Sequence, residues 1–338
     1  MRGGFTFYEF IKLRDKKAMI PEKEKKQIAN WSQILKDDIR ITLILTGDER
    51  SQTFKDFCDD LTRIAPKIKI KQEKDDEAKP PIIRVGNVGY QAIPTGRELE
   101  PFLSLLADGD DQTQNSPLSV HKTLHQIRVP ALLKVYIMPH CPFCPATVKQ
   151  LLCLAAASES IKLTIIDGSF FPEKAASDNI QSAPTVLLDD QFYWTGSIQM
   201  EEIVDMILNR DPSRLSASSL KAMFEEGGAV EVAGMMLDSG KIFPAFMELL
   251  VHKKWPVRLA AMVTFETIAE ENHTLVHHTI PYLWDCFSTA EDTVKGDILY
   301  LLGKSGDKGI IPKLETVLNG PYGVDVKEAA EEALDALQ

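Results

Sequence analysis

Two cysteines, Cys141 and Cys144, are separated by two residues in the sequence His-Cys-Pro-Phe-Cys-Pro. They follow an apolar segment, residues 132–138, which predicts a strand that runs into a helix starting at Cys141. A disulfide can close across two intervening residues, and the N–H groups and dipole at a helix N-terminus stabilise a thiolate. The spacing therefore predicts a redox-active dithiol.

A structural metal clip is the main alternative for this pair, and an inert dithiol is another. Structural zinc takes four ligands, and the sequence has no second C-x-x-C to complete such a site. The H-x-x-x-H-H pattern at residues 273–278 could place two histidines on one helix face, but no acidic partner of known position accompanies it. We predict no metal site. The remaining cysteines are expected to be core thiols: Cys58, Cys153 and Cys286.

Composition limits the class of protein. A chain of 338 residues exceeds the size of a single core, so two or three domains are expected. The formal net charge of −11 argues against nucleic acid as a partner, because binding phosphates requires a basic face. Five scattered cysteines fit a reducing compartment. With no signal-peptide pattern and no apolar run long enough for a bilayer, the sequence predicts a cytoplasmic protein without membrane contact.

The elements that must position the dithiol form a pattern that occurs twice. Helices and strands alternate over residues 20–108, a polar linker follows at 107–117, and the same order returns over residues 117–210. An offset of 92 residues superposes the copies and places Glu49 and Gln52 opposite the two cysteines. We therefore predict two related α/β modules, of which only the second carries a dithiol. The predicted strands are residues 40–46, 67–71, 80–87, 91–93, 132–138, 161–167, 183–188 and 191–194.

Residues 215–338 have a helical pattern throughout. Val257, Val294 and Val326 occupy corresponding positions in a looser repeat, 37 and 32 residues apart. Periods in this range are typical of a helix-pair solenoid. The predicted fold class is two tandem α/β modules followed by an all-α solenoid.

Residues around the dithiol resemble a known family. Pro142, Phe143 and Pro145, with Ser-Ala-Pro-Thr at residues 182–185, resemble the glutaredoxin branch of the thioredoxin superfamily. Tandem modules with one dithiol resemble the N-terminal domain of the bacterial alkyl hydroperoxide reductase flavoprotein subunit and the archaeal-type protein disulfide oxidoreductases. The last third of the chain is similar to HEAT repeats.

The resemblance implies roles for particular residues. Cys141 would attack a substrate disulfide, and Cys144, the less exposed of the two, would resolve the mixed disulfide. Pro184 would be a cis-proline lying against the dithiol. The neighbouring residues implied in substrate binding are Pro142, Phe143, Ala183, Thr185 and Gly196.

One position departs from the thioredoxin pattern. Thioredoxins keep a buried carboxylate six residues before the first cysteine, whereas this chain has Val135. Proton transfer must then use another group or water, and His140 could aid thiolate formation or be a solvated histidine with no role.

These expectations define a thiol-disulfide oxidoreductase that acts on protein or peroxidase substrates. The sequence lacks Gly-x-Gly-x-x-Gly, so no bound flavin or nicotinamide is expected, and a thioredoxin-reductase-like partner could supply electrons. The helical repeats are expected to bind a partner protein or to cover the dithiol. Two alternatives stay open: an interaction scaffold with a redox sensor, and an electron carrier dedicated to a peroxidase.

Overall fold

A computed structural model describes residues 19–75, 80–107, 127, 129–225 and 227–338. Its contacts divide the chain into two compact units, with the division between Leu208 and Asn209. Residues 118–126 of the predicted helix at 118–127 and most of the predicted linker lie outside the described residues. None of the described helices is both long enough and apolar enough to cross a bilayer.

The first unit is built on strands flanked by helices. Its strands are β1 Ile39–Leu45, β2 Ile68–Lys74, β3 Ile82–Val85, β4 Val88–Gln91, β5 Ala131–Ile137, β6 Ile161–Asp167, β7 Thr185–Leu188 and β8 Phe192–Thr195. Its helices are α1 Glu22–Ser32, α2 Ser51–Ile64, α3 Leu99–Ala107, α4 Cys144–Ala157, α5 Pro172–Ser177 and α6 Met200–Asn209, with a 3-10 turn, Gly96–Glu98, before α3. The sequence did not predict α5, whose six residues are too few to show a repeated helical pattern.

These strands form one sheet with the order β2-β1-β3-β4-β6-β5-β7-β8. In each half a central strand pairs parallel with the next strand in the chain and antiparallel with the third, and the fourth strand extends the hairpin. The helices α2 and α4 supply the crossovers that parallel pairing requires. Parallel pairing of β4 with β6 joins the halves. The predicted repeat of element order is therefore present, and its two copies share one sheet.

The predicted fourth strand, residues 91–93, is wrong in position. Val85 pairs with Val88, so Gly86 and Asn87 alone form the hairpin turn and β4 starts directly after it. Gly86 has a φ of +56°, a backbone conformation that glycine adopts without strain. The shorter turn moves the strand three residues towards the N-terminus.

Apolar side chains from both sides of the sheet make its core. On α2 the side chains of Phe54, Phe57 and Leu61 are fully buried. Cys58 on the same helix is also buried, as predicted, and burial raises its pKa to about 12. Cys153 is half-buried on α4.

The Asn87 side chain joins the two halves of the sheet unit. Its Nδ2 donates to the carbonyl oxygens of Ala155 and Ile161, each at 2.7 Å, and lies 3.2 Å from that of Ser158. The last carbonyl groups of a helix lack partners within the helix. Asn87 therefore caps the C-terminal end of α4 from the turn of the other half.

We expect Asn87→Ala to lower the free energy of unfolding by about 2 kcal/mol, because it removes the side-chain donor to the Ala155 and Ile161 carbonyls. Asn319→Ala is a matched control, since the exposed Asn319 amide donates only to Glu315 one turn earlier. That change should cost less than about 0.5 kcal/mol. Urea unfolding of both variants tests the difference, and equal losses would contradict the capping role.

The second unit is helical, as predicted. Its helices are α7 Ala217–Glu225, α8 Ala229–Ser239, α9 Pro244–Leu250, α10 Trp255–Glu271, α11 His273–Val276, α12 Ile280–Phe287, α13 Asp292–Lys304, α14 Ile311–Leu318 and α15 Val324–Leu337. Val257, Val294 and Val326 each lie on the buried side of their helix. Cys286, predicted as a core thiol, is half-buried on α12.

The helices α13 and α15 pack closely at Gly303. A methyl group on this residue would lie 2.8 Å from the Cα and 3.1 Å from the Cβ of Ala333. Real atoms do not approach so closely, so one helix must shift to accommodate a side chain there. On the same helix, Gly296 has no atom within 4 Å of the equivalent position.

The two glycines form a matched pair for mutation. We expect Gly303→Ala to lower the free energy of unfolding by about 1–3 kcal/mol through overpacking. Gly296→Ala should raise it by about 0.5–1 kcal/mol, because alanine is the better helix former. Thermal or urea unfolding measures both changes, and the same sign for the two variants would argue against close packing at Gly303.

Candidate functional site

The two cysteines lie where β5 leads into α4. The prediction that the helix starts at Cys141 is wrong, since α4 begins at Cys144 with Phe143 as its N-cap. The N–H of Cys141 donates to the carbonyl of Met138 at 3.0 Å, which closes a turn before the helix. Cys141 is thereby held in the loop, directly in front of the first turn of α4.

The two thiols have different environments. Cys144 is completely buried and Cys141 is half-buried. Cys144 is therefore the less exposed of the two, as predicted. The N–H of Cys144 donates to the Sγ of Cys141 at 3.1 Å, which stabilises negative charge on that sulfur. Burial raises the pKa of Cys144 to about 12, and its contact with Cys141 adds to the increase. The geometry therefore offers one accessible sulfur and one protected thiol.

A second loop approaches the accessible sulfur. The Ala183–Pro184 peptide bond is cis, and the Ala183 carbonyl oxygen lies 3.6 Å from the Sγ of Cys141. The Pro184 carbonyl accepts the N–H of Gly196 at 2.9 Å. Gly196 has a φ of +81°, which a side chain would strain. The structure thus brings Ala183, Pro184 and Gly196 together beside Cys141.

Thr185 faces the protein and not the solvent. It is buried at the start of β7, and its Oγ1 donates to the Ser182 carbonyl at 2.8 Å and lies 3.2 Å from the Oγ1 of Thr195. Its side chain therefore holds the loop that precedes β7. Among the residues implied in substrate binding, Thr185 does not offer its side chain to a substrate.

The surface around Cys141 is apolar. Phe143 is 71% exposed and Met138 is 48% exposed. Pro142 and His140 also face the solvent. Exposed apolar side chains next to a half-buried sulfur favour a protein segment as the group that covers them.

A buried carboxylate approaches the dithiol from the other half of the sheet. Val135 is completely buried and carries no ionisable group, but Glu98, in the turn that packs against α4, is only 4% exposed. Both of its carboxylate oxygens lack a hydrogen-bond partner among the described residues. Burial and the charge of Asp167 raise the pKa of Glu98 to about 7, and its own charge helps to raise the pKa of Cys144.

The sequence did not identify Glu98 as a site residue. Thr-Gly-Arg-Glu at residues 95–98 is typical of a capping box, in which the glutamate side chain returns to the backbone of the threonine. In the structure the N–H of Thr95 donates to Ile93 instead. Glu98 instead lines a cavity of about 160 Å³, whose wall also includes Asp167, Ile137 and Pro139. Such a cavity has room for a few water molecules.

The site that corresponds to the dithiol in the first half carries an ion pair. Strands β1 and β5 keep the predicted offset of 92 residues, whereas α2 and α4 begin 93 residues apart. The predicted match of Glu49 and Gln52 with the cysteines therefore holds when counted from the strands, and it shifts to Asp48 and Ser51 when counted from the helices. Asp48 accepts from the backbone and side chain of Arg50, which lowers the pKa of Asp48.

Arg50 links the two halves. Its guanidinium donates to the Phe170 carbonyl at 2.8 Å, pairs with Glu173 and lies 4.1 Å from the centre of the Phe171 ring. The place of the dithiol in the first half is therefore taken by a contact that holds the segment after β6.

The three histidines at residues 273–278 differ in their exposure. The Nε2 of His277 lies 3.1 Å from the Ser305 carbonyl, and His273 and His278 are exposed. Over the residues that the structure describes, no group of three potential ligands lies close enough to hold a metal ion.

Residues 132–209 match the family model of a thioredoxin domain. This part of the chain is thioredoxin-like. The match includes the dithiol, the cis-proline loop and Gly196, but not Glu98 or Arg50, which the first half supplies.

Curated relatives match more than half of the chain. An NADH dehydrogenase from Bacillus subtilis is 25% identical over 186 residues, which are 53% of this chain and 36% of that protein. The F component of the alkyl hydroperoxide reductase from Xanthomonas campestris is 23% identical over 221 residues, which are 62% of this chain and 42% of that protein. The chain thus spans about two fifths of the length of the curated relatives it matches.

A solved structure shares the fold. A protein disulfide oxidoreductase from Aeropyrum pernix K1 superposes with a TM-score of 0.50 at 14% identity, over 58% of this chain and 95% of that protein. The two curated relatives and this structure are oxidoreductases by name. At this level of identity the superposition shows a shared fold.

Proposed function

We propose that the chain is a thiol-disulfide oxidoreductase that exchanges disulfides with protein or peroxidase substrates through Cys141 and Cys144. The observation that carries the proposal is the pairing of a half-buried sulfur with the N–H of Cys144 at 3.1 Å, in front of a fully buried second thiol. A nucleophile needs access and a stabilised thiolate, and the resolving thiol needs protection from other oxidants.

The exchange has two steps. The Cys141 thiolate attacks a substrate disulfide, so that a Cys141–substrate bond forms, the substrate disulfide breaks and one substrate thiolate leaves. The Cys144 thiol then loses its proton and attacks the Cys141 sulfur, which releases the second substrate thiolate. Two electrons pass to the substrate, and Cys141 and Cys144 become a disulfide.

Glu98 accepts the Cys144 proton in this proposal. With a pKa near 7 its carboxylate is ionised in part of the population at neutral pH, and it is the buried acidic group whose charge acts on Cys144. The adjoining cavity connects it with Asp167, so water there could carry the proton onward. Glu98 would thereby serve in place of the carboxylate that is missing at Val135.

Substrate binding would use the loop of Ala183 and Pro184 and the exposed apolar rim. An extended substrate segment can pair with backbone groups next to Cys141, while Phe143 and Met138 cover its apolar side chains. Protein substrates suit this surface. The names of the curated relatives make a peroxidase one candidate substrate.

The wider architecture is part of the proposal. We interpret the sheet unit as two fused thioredoxin-like modules, residues 20–108 and 117–210, with the first serving to pack and to position Glu98. The helical part, residues 215–338, would be a HEAT-like solenoid that binds a partner. The redox centre would be the cysteine pair itself, with no bound cofactor. The protein would act in the cytoplasm and receive electrons from a thioredoxin-reductase-like donor.

Two assays with the full chain test the function. Reduction of insulin with dithiothreitol measures general disulfide exchange, and a peroxidase-coupled assay measures delivery to a dedicated partner. Activity in either supports an oxidoreductase, whereas inactivity in both would favour the alternative of a scaffold with a redox sensor. The reduction potential of Cys141 and Cys144 then gives the direction of electron flow.

A further inference from the structure

Apolar side chains are exposed along one face of α10. Trp255, Leu259 and Val263 follow one another at intervals of four residues and are 56%, 38% and 39% exposed. Residues at this spacing lie on the same side of a helix. The opposite side of α10 is buried, with Phe265 and Ile268 completely inaccessible. The helix thus has a second apolar face, which the described residues leave in contact with solvent.

This face borders a groove between α10, α13 and α15. The groove has a volume of about 510 Å³, and Met262, in the turn between Leu259 and Val263, forms part of its wall. Tyr300 of α13 lines it as well and donates to Glu266, which lies one turn after Val263. Its floor is made by small residues: Gly296, Gly303, Ala329 and Ala333. The exposed apolar face of α10 therefore adjoins the groove.

Most of the groove lining is apolar or small, and its charged side chains are mainly acidic. Asp297 and Glu332 contribute carboxylates, and Glu266 adds a third at the edge. Arg258 pairs with Asp297 and neutralises its charge, so the negative charges that the groove offers to a ligand are those of Glu332 and Glu266. The lining cation is Lys304, which lies 5.5 Å from the Tyr300 ring. Residues 209–338 contain 20 acidic and 12 basic side chains, a formal net charge of −8.

We propose that this groove binds an amphipathic helix of another protein, one that carries aliphatic side chains on one face and lysines or arginines beside them. Apolar side chains of the partner would cover Leu259 and Val263 and enter the groove, which is the usual way that an amphipathic helix binds. Its basic side chains would meet Glu332 and Glu266. The proposal does not depend on the chemistry of Cys141, so either can fail alone.

A pair of synthetic peptides tests the chemistry of the partner. Both are helical with leucines on one face, and the other face carries lysines in one and glutamates in the other. Fluorescence anisotropy with the full chain measures their binding. We expect the lysine peptide to bind at least tenfold more tightly than the glutamate peptide, with a preference that decreases as salt is added.

Surface variants locate the binding site. Val263→Arg should weaken binding of the lysine peptide at least tenfold, and Ile34→Arg, at an exposed apolar residue of the other unit, should leave it within twofold. Glu332→Lys should weaken it about threefold or more, whereas Glu331→Lys, which reverses a charge on the outer side of α15, should have a smaller effect. The substituted side chains are exposed, and thermal unfolding confirms that each variant is folded.

Three results would overturn the proposal. Equal binding of the two peptides would contradict the preference for a basic partner. Equal losses in Val263→Arg and Ile34→Arg would place binding elsewhere. The third is a concentration-dependent dimer of the chain that Val263→Arg abolishes in sedimentation experiments, which would make a second copy the occupant of the groove.

Discussion

Cys141→Ser should lower the rate of disulfide exchange by about 10³-fold or more. A serine hydroxyl is a far weaker nucleophile than a thiolate, and in this fold the thiolate is the group that the N–H of Cys144 stabilises. Cys144 cannot replace it, because that thiol is completely buried and its pKa is raised to about 12. An aromatic disulfide that releases a coloured thiolate measures the loss directly.

Cys144→Ser should have a different effect. The first step proceeds, because the accessible sulfur is retained, but the mixed disulfide with the substrate is no longer resolved and accumulates. Mass spectrometry of the intact protein would detect one substrate molecule for each chain. Cys153→Ser is the matched control, since this half-buried thiol lies on the same helix as Cys144 and makes no contact in the proposed mechanism. Turnover that survives Cys141→Ser would rule out the assignment.

Glu98→Gln should slow the second step by about 10²-fold and remove its dependence on pH near 7. In the wild-type protein the rate should rise through about pH 7, as Glu98 ionises and becomes able to accept the Cys144 proton. The amide cannot accept this proton. Stopped-flow measurement of the second coloured thiolate that an aromatic disulfide releases isolates the step, because Cys144→Ser releases only the first.

Whether Glu98→Gln slows or accelerates the second step distinguishes two roles for Glu98. The charge of this carboxylate helps to raise the pKa of Cys144, so its removal makes the Cys144 thiolate easier to form. If Glu98 acted through its charge alone, Glu98→Gln would therefore accelerate the second step. A faster step would contradict the role of proton acceptor.

The same variant should be more stable at neutral and alkaline pH. The pKa of Glu98 is raised from 4.5 in the unfolded chain to about 7 in the folded one, so the protonated form is favoured by folding. The contribution of protonated Glu98 to the free energy of unfolding is fully present below pH 4.5 and is lost as the pH rises through 7. The difference corresponds to about 3 kcal/mol, so Glu98→Gln should gain up to that amount at pH 8 and little at pH 4.

Urea unfolding at both pH values measures this gain. Glu202→Gln, at an exposed carboxylate on α6, controls for the loss of one negative charge and should change stability by less than about 0.5 kcal/mol. Tyr90 and Asp167 also act electrostatically on Glu98 or respond to its charge. The wild-type pH profile therefore reports the whole cluster, and the comparison with Glu98→Gln isolates the contribution of this carboxylate.

The local pattern around the dithiol was sufficient to predict its structural setting. An apolar strand followed by Cys-Pro-Phe-Cys implies a strand, a loop and a helix, because each of these depends on residues close together in the chain. The repeat of element order could also be predicted, because hydrophobic periodicity indicates each helix and strand along the chain. The start of α4 could not, because the turn that holds Cys141 outside the helix depends on a hydrogen bond to Met138.

The contacts between the two halves of the sheet could not be predicted. Glu98 acts electrostatically on Cys144 across 46 residues of chain, Asn87 donates to Ala155 across 68, and Arg50 donates to Phe170 across 120. Each depends on the parallel pairing of β4 with β6, and no local pattern specifies which edges of two sheets will join.

By itself, then, the sequence determined the chemistry that is available at this site: a nucleophilic sulfur, a second thiol three residues later and a proline loop to lie against them. Only the tertiary structure decided which groups surround that chemistry. Glu98 looks like a helix cap in the sequence, and burial next to Cys144 makes it an acid with a pKa near 7. The reason is physical, because a shifted pKa depends on desolvation and neighbouring charges, and these exist only after distant segments have packed.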